Sequence, residues 1–121
     1  MIVIESINNV CVTVSDIKRA VDFYKDLFDF DVVEKQGAGY VYLKMGEMVI
    51  ALHEQEGFAN TANSGYSISF FVDEDDFDDA LESLEEKNIP IVYGPENIRN
   101  GQAVIFADPD GNRIELSYPR V

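Results

Sequence analysis

The chain contains a single cysteine, Cys11, so no disulfide can form within it. Nothing in the cysteine content indicates an oxidising compartment, and the cytoplasm is the expected location. No apolar run approaches the length of a membrane span, and the N-terminus lacks the basic and then apolar segments of a secretory signal. The sequence therefore predicts a cytoplasmic protein with no membrane partner.

Basic residues are scarce: 9 lysines and arginines stand against 23 aspartates and glutamates, for a formal charge of −14. Such a surface repels phosphate backbones and anionic headgroups, which argues against nucleic acid as a partner. We interpret the acidity as a solubility feature, with a cationic ligand as the alternative. Nine of the fourteen residues in 73–86 are acidic, and we interpret them as the solvated face of a helix.

Prolines are also few, with four in 121 residues, whereas 46% of the residues are hydrophobic. This composition supplies enough apolar material for a compact core and excludes a disordered chain. The length fits one domain, residues 1–121.

The first half of the chain predicts one strand, one helix and three further strands. A β-branched run over 7–14 is followed by Ser15 and Asp16, which are good helix N-caps. Apolar residues then recur at spacings of three and four and predict a helix over Asp16–Phe28. Three strand-like runs follow, at Asp31–Lys35, Gly39–Lys44 and Met48–Leu52.

The second half repeats this order after a polar connector at 55–65. The predicted elements are a strand at Tyr66–Val72, a helix at Glu74–Lys87, and strands at Ile91–Tyr93, Ala103–Ala107 and Arg113–Tyr118. Gly94-Pro95 predicts a turn, and residues 108–112 (Asp-Pro-Asp-Gly-Asn) predict a tight hairpin. The shared order indicates an internal duplication, with unit one at about 1–54 and unit two at about 66–121.

Two segments carry a family resemblance. Residues 9–30 resemble the opening of vicinal oxygen chelate domains, typically His-Val-x-Leu-x-Val-x-Asp-Leu, then Ala-x-x-Phe-Tyr, then Leu-Gly-Phe. Residues 104–116 resemble their closing signature, Phe-x-Asp-Pro-Asp-Gly-Asn-x-Ile-Glu-Leu. The chain is thus similar to the glyoxalase/bleomycin-resistance/dioxygenase superfamily, which includes isomerases, dioxygenases, thiol transferases that destroy fosfomycin, and antibiotic-binding proteins.

The resemblance implies an α+β fold in which two βαβββ units form curved mixed sheets around a cup. It also implies four metal-ligand positions, one on the first and last strand of each unit. In this sequence they match Asn9, Ala51, Ser67 and Glu115, with His53 two residues beyond Ala51 and on the same side of the strand. Only Glu115 is a good ligand at its matching position, because amide and hydroxyl oxygens bind zinc, nickel or iron weakly.

The ligand count favours a protein that binds a small organic molecule in the cup without a conventional metal site or cofactor, as bleomycin-resistance proteins do. The alternative is a divergent metal-dependent enzyme, a lyase or isomerase similar to lactoylglutathione lyase, or a dioxygenase. There Glu115 would be the catalytic base, and a divalent metal would be held with His53 or by the second subunit. The resemblance also implies a homodimer, because two units must complete their cup.

Other chemistries lack their motifs. The sequence contains no Gly-rich phosphate loop, no Cys-x-x-Cys pair and no nucleophile elbow. Cys11 lies within an apolar strand and is predicted to be a buried core thiol. His53, the only histidine, is predicted to be a surface or hydrogen-bonding residue unless it binds the metal.

Overall fold

The structure is a computed structural model that describes residues 1–36, 39–60 and 66–121. The predicted connector at 55–65 lies partly outside these residues. The chain divides into two compact units, Met1–Ala59 and Asn60–Val121. Each unit contains one helix and four strands, so the predicted α+β fold of two βαβββ units is confirmed.

The first unit is a four-stranded mixed sheet with one helix packed against it. Its elements are β1 (Val10–Val14), α1 (Ile17–Leu27), β2 (Asp31–Gln36), β3 (Tyr40–Met45) and β4 (Met48–Glu54). The strand order is β1-β4-β3-β2, with β1 parallel to β4 and the other pairs antiparallel. Helix α1 packs on β3 and β4. Alternate side chains point to the buried face, including those of Val14, Leu43, Ile50 and Leu52.

The second unit repeats the same topology. Its elements are β5 (Ile68–Phe71), α2 (Glu74–Glu86), β6 (Ile91–Ile98), β7 (Gly101–Ala107) and β8 (Arg113–Tyr118). The strand order is β5-β8-β7-β6, and β5 is parallel to β8. The core of this unit contains Phe77 and Leu84 of α2 and Val104, Phe106 and Ile114 of the sheet.

Both helices begin at an aspartate N-cap, and the sequence predicts the one at Asp16. The Asp16 carboxylate accepts a hydrogen bond from the Arg19 N–H, and the Asp73 carboxylate accepts one from the Asp75 N–H. In α1 a second backbone N–H has a partner that is distant in sequence. The Ile17 N–H donates to Glu54 Oε2 at 2.8 Å. This contact ties the start of α1 to the end of β4 and satisfies a backbone group that the helix leaves free.

Helix α2 packs on β8 through an aromatic pair. The Phe77 and Tyr118 rings meet edge to face, with centroids 5.2 Å apart. The Tyr118 hydroxyl donates to Gln102 Oε1 at 3.1 Å. Partial burial raises the pKa of Tyr118, and the negative charges of Glu74 and Asp78 raise it further.

The turn predicted at Gly94-Pro95 is wrong. Both residues lie inside β6, where the pairing with β7 shifts register between Tyr93 and Glu96. Proline cannot donate to a neighbouring strand, and a bulge on an edge strand such as β6 accommodates it. The reversal comes later, at Arg99 and Asn100, whose φ values of 41° and 61° are those of a two-residue hairpin turn.

The burial predicted for Cys11 is also wrong, because its thiol is exposed. Cys11 lies on β1, an edge strand of the first sheet, and its side chain points away from the face that Val12 and Val14 bury. An apolar, β-branched neighbourhood indicates a strand, but the parity of the residue decides which face it occupies. Within the described part of the chain, no helix is long and apolar enough to cross a membrane.

Candidate functional site

Glu115 lies on β8 in the second unit, and its carboxylate is held by a hydroxyl from the neighbouring strand. The parallel pairing of β5 and β8 places Ser69 directly opposite Glu115, so both side chains occupy the same face of the sheet. The Ser69 hydroxyl donates to Glu115 Oε1 at 2.6 Å. This is the short distance expected of a hydroxyl bonded to a charged carboxylate.

Two more polar side chains continue from Ser69 across this face. The Ser69 and Ser117 hydroxyl oxygens are 3.3 Å apart, and Arg99 Nη2 donates to Ser117 Oγ at 3.4 Å. Ser117 is only 4% exposed, so its hydroxyl depends on protein partners. Arg99 reaches it from the positive-φ turn between β6 and β7, a backbone conformation that non-glycine residues adopt at a cost of about 1 kcal/mol or more.

These residues line a cleft of about 470 Å³ in the second unit. The Arg120 guanidinium also borders the cleft and lies 4.4 Å from the centroid of the Phe71 ring. This cation–π contact holds the guanidinium against Phe71. The cleft is lined by Ser69, Phe71, Arg99, Glu115, Ser117, Pro119, Arg120 and Val121. The lining thus contains two guanidinium groups and one side-chain carboxylate, in a chain whose formal charge is −14. The cleft is a local exception to the acidity of the chain.

In the first unit, the residues predicted for the site share one face of the sheet. Ala51 and His53 lie two apart on β4, with Cys11 opposite Ala51 and Thr13 opposite His53 on β1. Ala51 is buried, and His53 is half-buried. The Tyr40 ring stacks on His53 with centroids 4.4 Å apart and planes inclined by 25°. Sequence reasoning placed His53 correctly relative to Ala51 but missed both Tyr40 and the exposed thiol.

The two remaining predicted residues, Asn9 and Ser67, immediately precede β1 and β5. Asn9, Ala51 and His53 belong to the first unit, whereas Ser67 and Glu115 belong to the second. The hydroxyl that contacts Glu115 is that of Ser69, two residues beyond Ser67. The register of a parallel pair is not visible in the sequence, which is why Ser69 was missed.

The donors available for a metal are few. Within residues 1–36, 39–60 and 66–121, no three side chains of histidine, cysteine, aspartate or glutamate are grouped closely enough to hold an ion. Beside Glu115 the structure supplies hydroxyl oxygens instead. This set does not fit a zinc cage of imidazole, thiolate and carboxylate groups. Only the Glu115 carboxylate among these oxygens is charged, so a hard cation there would depend on waters and on the oxygens of its substrate.

The fold and the closing Glu115 motif define the class of protein. Residues 6–116 match the model of the Glyoxalase/Bleomycin resistance protein/Dioxygenase superfamily, and the chain belongs to this superfamily. A Metallothiol transferase FosB of Staphylococcus epidermidis is 35% identical over 116 residues, 93% of this chain and 81% of the relative. Glutathione transferase FosA of Serratia marcescens is 28% identical over 116 residues, 93% of this chain and 80% of the relative.

Solved structures confirm the fold. The fosfomycin resistance protein FosX from Mesorhizobium loti matches with a TM-score of 0.80 at 23% identity, over 98% of this chain and 96% of that chain. A FosX variant from Listeria monocytogenes, complexed with Mn(II) and 1S,2S-dihydroxypropylphosphonic acid, matches with a TM-score of 0.85 at 16% identity. That match covers 98% of this chain and 94% of that chain.

These relatives correct the function predicted from the ligand count. The interpretation as a metal-free ligand-binding protein is wrong, because relatives at 35% and 33% identity are metallothiol transferases. The alternative prediction, a metal-dependent enzyme, agrees better with these relatives. They do not support the expectation of no cofactor. The error lay in testing the donors only against zinc, nickel and iron, whereas magnesium and manganese accept carboxylate, carbonyl and water oxygens.

Proposed function

We propose that this chain is a metal-assisted enzyme that transfers a thiol to a small phosphonate such as fosfomycin. The observation that carries this proposal is the cleft of the second unit, whose lining includes Glu115, Arg99 and Arg120. A cleft lined by one carboxylate and two guanidinium groups suits a substrate that is both anionic and rich in oxygen. The sequence identity to the FosB and FosA proteins supports the same reaction class.

The arginines supply anion recognition. A guanidinium group presents donors in a planar fork that matches the oxygens of a phosphonate, and it stays charged at any physiological pH. Arg120 is held against Phe71 and Arg99 is bonded to Ser117, so both groups are positioned before the substrate binds. Positioned donors lose less side-chain entropy on binding than free ones.

Glu115 would be the protein ligand of a magnesium or manganese ion. A bound divalent ion would supply polarisation of a substrate oxygen. Such ions are often held by one or two carboxylates together with substrate phosphate oxygens, so one protein carboxylate is sufficient when the substrate is a phosphonate. The oxygens of Asn9 and Ser67 remain predicted neighbours of this site.

The direct test is turnover of fosfomycin by the purified protein. We expect a new phosphorus resonance by ³¹P NMR, with matching loss of free thiol, when glutathione or cysteine and Mn(II) are all present. Omission of Mn(II) should abolish the signal. Product formation without thiol consumption would show that the reaction is hydration of fosfomycin and not thiol transfer. No product with any thiol, Mg(II) or Mn(II) would refute the proposed activity.

Removal of either arginine should weaken substrate binding. We expect Arg99→Ala and Arg120→Ala each to raise the KM for fosfomycin about tenfold, since a hydrogen bond to a charged group contributes roughly 1.5–3 kcal/mol. The effect should shrink at high salt, because part of the attraction is screened. Lys87→Ala is the matched control, because Lys87 follows α2 in the same unit and does not line the cleft. Equal KM values for all three variants would contradict anion binding by the arginines.

The homodimer implied by the family remains part of the proposal. Supporting it, large apolar side chains are exposed on the edge strand β6 and in the segment before β1: Ile2, Val3, Ile4, Ile7, Ile91, Val92 and Tyr93. Exposed apolar clusters of this kind mark interfaces. We expect sedimentation equilibrium at micromolar concentration to give twice the 13.6 kDa chain mass, and Val92→Glu to shift the protein toward monomer. A monomer at every concentration would contradict the dimer.

The cytoplasm remains the proposed location, and a free exposed thiol at Cys11 suits a reducing compartment. Small molecules are the proposed ligands. The acidic surface continues to argue against nucleic acid and anionic membranes as partners.

A further inference from the structure

A groove of the second unit lies between α2 and the edge strand β6, and it shares no residue with the Glu115 cleft. Its volume is about 490 Å³. Ile91 of β6 pairs with Phe106, which in turn pairs with Ile114, so Ile91 lies on the sheet face opposite to that of Glu115. The lining of this α2–β6 groove consists of Asp78, Leu81, Glu82, Glu85, Ile89, Ile91 and Pro95.

One part of the groove is apolar. Leu81 and Ile89 are half-buried, and Ile91 is 42% exposed. Pro95 lies where the pairing of β6 with β7 is irregular, and it adds a further apolar side chain to the same wall. Apolar surface that water reaches in a concave site is stabilised when hydrocarbon covers it. This part of the groove therefore favours a ligand with a hydrocarbon segment.

The other part of the groove carries three carboxylates. Asp78, Glu82 and Glu85 follow one another on α2 at spacings of four and three, so they form one row along the helix, each about one 5.4 Å turn from the next. All three side chains are exposed. Within the ranges that the structure describes, none of these carboxylates makes a hydrogen bond or an ion pair.

Helix α2 does not compensate this charge itself. Carboxylates stabilise the first turn of a helix, but in the last turn they oppose the helix dipole. Glu85 lies in the last turn of α2, which contains no basic residue, and the C-cap Lys87 does not line the groove. Like charges three and four positions apart also repel each other. A cation bound along the row would relieve both effects, so the groove is complementary in charge to a ligand with several positive groups.

We propose that the α2–β6 groove binds a linear aliphatic polyamine. Amines separated by three or four methylene groups are spaced by roughly one helical turn, about 5.4 Å, so successive ammonium groups match the row of carboxylates. The methylene segments between them cover the apolar wall. A simple ion would supply the charge without the hydrocarbon, whereas a neutral apolar molecule would supply the hydrocarbon without the charge. The groove is separate from the thiol-transfer site, so this inference does not depend on the proposed function.

The test is binding of spermidine to the full chain, measured by isothermal titration calorimetry at low ionic strength, where exposed charges are least screened. The matched probe is hexaamminecobalt(III), which has the same triple positive charge and N–H donors but no methylene chain. We expect one spermidine per chain, and binding of the cobalt complex at least about fivefold weaker, because it leaves the apolar wall uncovered. No saturable binding of spermidine would overturn the proposal. Equal affinity for the two probes would show a general counterion effect and would overturn it too.

Variants of α2 test the row of carboxylates. Exposed ion pairs are weak individually, so we expect Glu85→Gln to weaken spermidine binding about threefold and the triple variant Asp78→Asn, Glu82→Gln, Glu85→Gln to weaken it at least about 20-fold. The triple variant removes repulsion from an exposed helix face and should keep its fold, which thermal unfolding checks.

The matched control is Glu86→Gln, which makes the same change one residue further on, in the same turn but outside the groove. We expect its affinity for spermidine to stay within about 1.5-fold of the wild type, because only a weak, unspecific contribution of net charge is lost. Equal losses in Glu85→Gln and Glu86→Gln would reduce the effect to net charge and contradict a site in the groove.

Amide chemical shifts measured by NMR locate the ligand. We expect spermidine to shift the resonances of α2 and β6 and to leave those of Ser69 and Glu115 unchanged; shifts confined to the Glu115 cleft would overturn the proposal. Two further results would assign the groove to another occupant. Binding of an amphipathic lysine–leucine helical peptide in place of spermidine would indicate a protein partner. Dissociation of a dimer by Ile91→Glu, with no effect of spermidine on the wild type, would indicate a second copy of the chain.

Discussion

Replacement of Glu115 by glutamine is expected to lower kcat/KM for fosfomycin by at least about 100-fold, because the divalent ion that the carboxylate would hold supplies several kcal/mol of charge stabilisation. Glutamine has nearly the same shape and keeps an oxygen that can accept the Ser69 hydroxyl, but it lacks the negative charge. The fold should therefore be retained, with a melting temperature within about 2 °C of the wild type. Steady-state kinetics and thermal unfolding of the same preparation provide both values.

The matched control for this variant is Glu86→Gln, which makes the same charge change at an exposed position in the last turn of α2. We expect full activity from it. An active Glu115→Gln would remove Glu115 from the reaction and, with it, the observation on which the proposed function rests. Loss of activity in both variants would instead indicate a general effect of net charge.

Asp108→Ala is expected to cause a large loss of stability. The Asp108 side chain is only 5% exposed and accepts hydrogen bonds of 2.9 Å from the Asp110 N–H, the Asn112 N–H and Asn112 Nδ2. Alanine leaves these donors without their acceptor in a buried turn, at a cost of about 3 kcal/mol. For a chain of this length the melting temperature should fall by about 10 °C.

Asp108→Asn tests the cause of that loss. Asparagine keeps one side-chain oxygen as an acceptor, so we expect it to be destabilised by about half as much as the alanine variant. Equal loss in both variants would point to the charge rather than the hydrogen bonds. A shift below about 2 °C in Asp108→Ala would show that water replaces the missing carboxylate.

The sequence predicted the elements of the fold well because each one has a local signal. The cap at Asp16, the spacing of apolar residues in α1 and the hairpin at 108–112 depend on residues that are neighbours in the chain. Strand β6 was misjudged because Gly94-Pro95 has the chemistry of a turn, and only the pairing with β7 shows that the strand continues past it.

The candidate site was predicted less completely because it depends on contacts between distant residues. Glu115 could be found from its motif, but Ser69 lies 46 positions earlier and becomes its neighbour only through the register of a parallel pair. Arg99 and Arg120 belong to no sequence motif, and only the structure shows that both line the same cleft. A sequence pattern shows the periodicity of one helix or strand, whereas this site depends on which residues of two distant strands pair with each other.

The parallel strand pairs also constrain how the chain folds. Strands β2, β3 and β4 are antiparallel neighbours that short turns can join, but β1 pairs with β4 across 40 positions, and β5 pairs with β8 across 46. Closing loops of that length costs conformational entropy before the strand contacts can form, and this slows folding. In each half of the chain we therefore expect one long-range strand pair to form late in folding. The strands that complete it, β1 and β5, are the ones that carry Cys11 and Ser69.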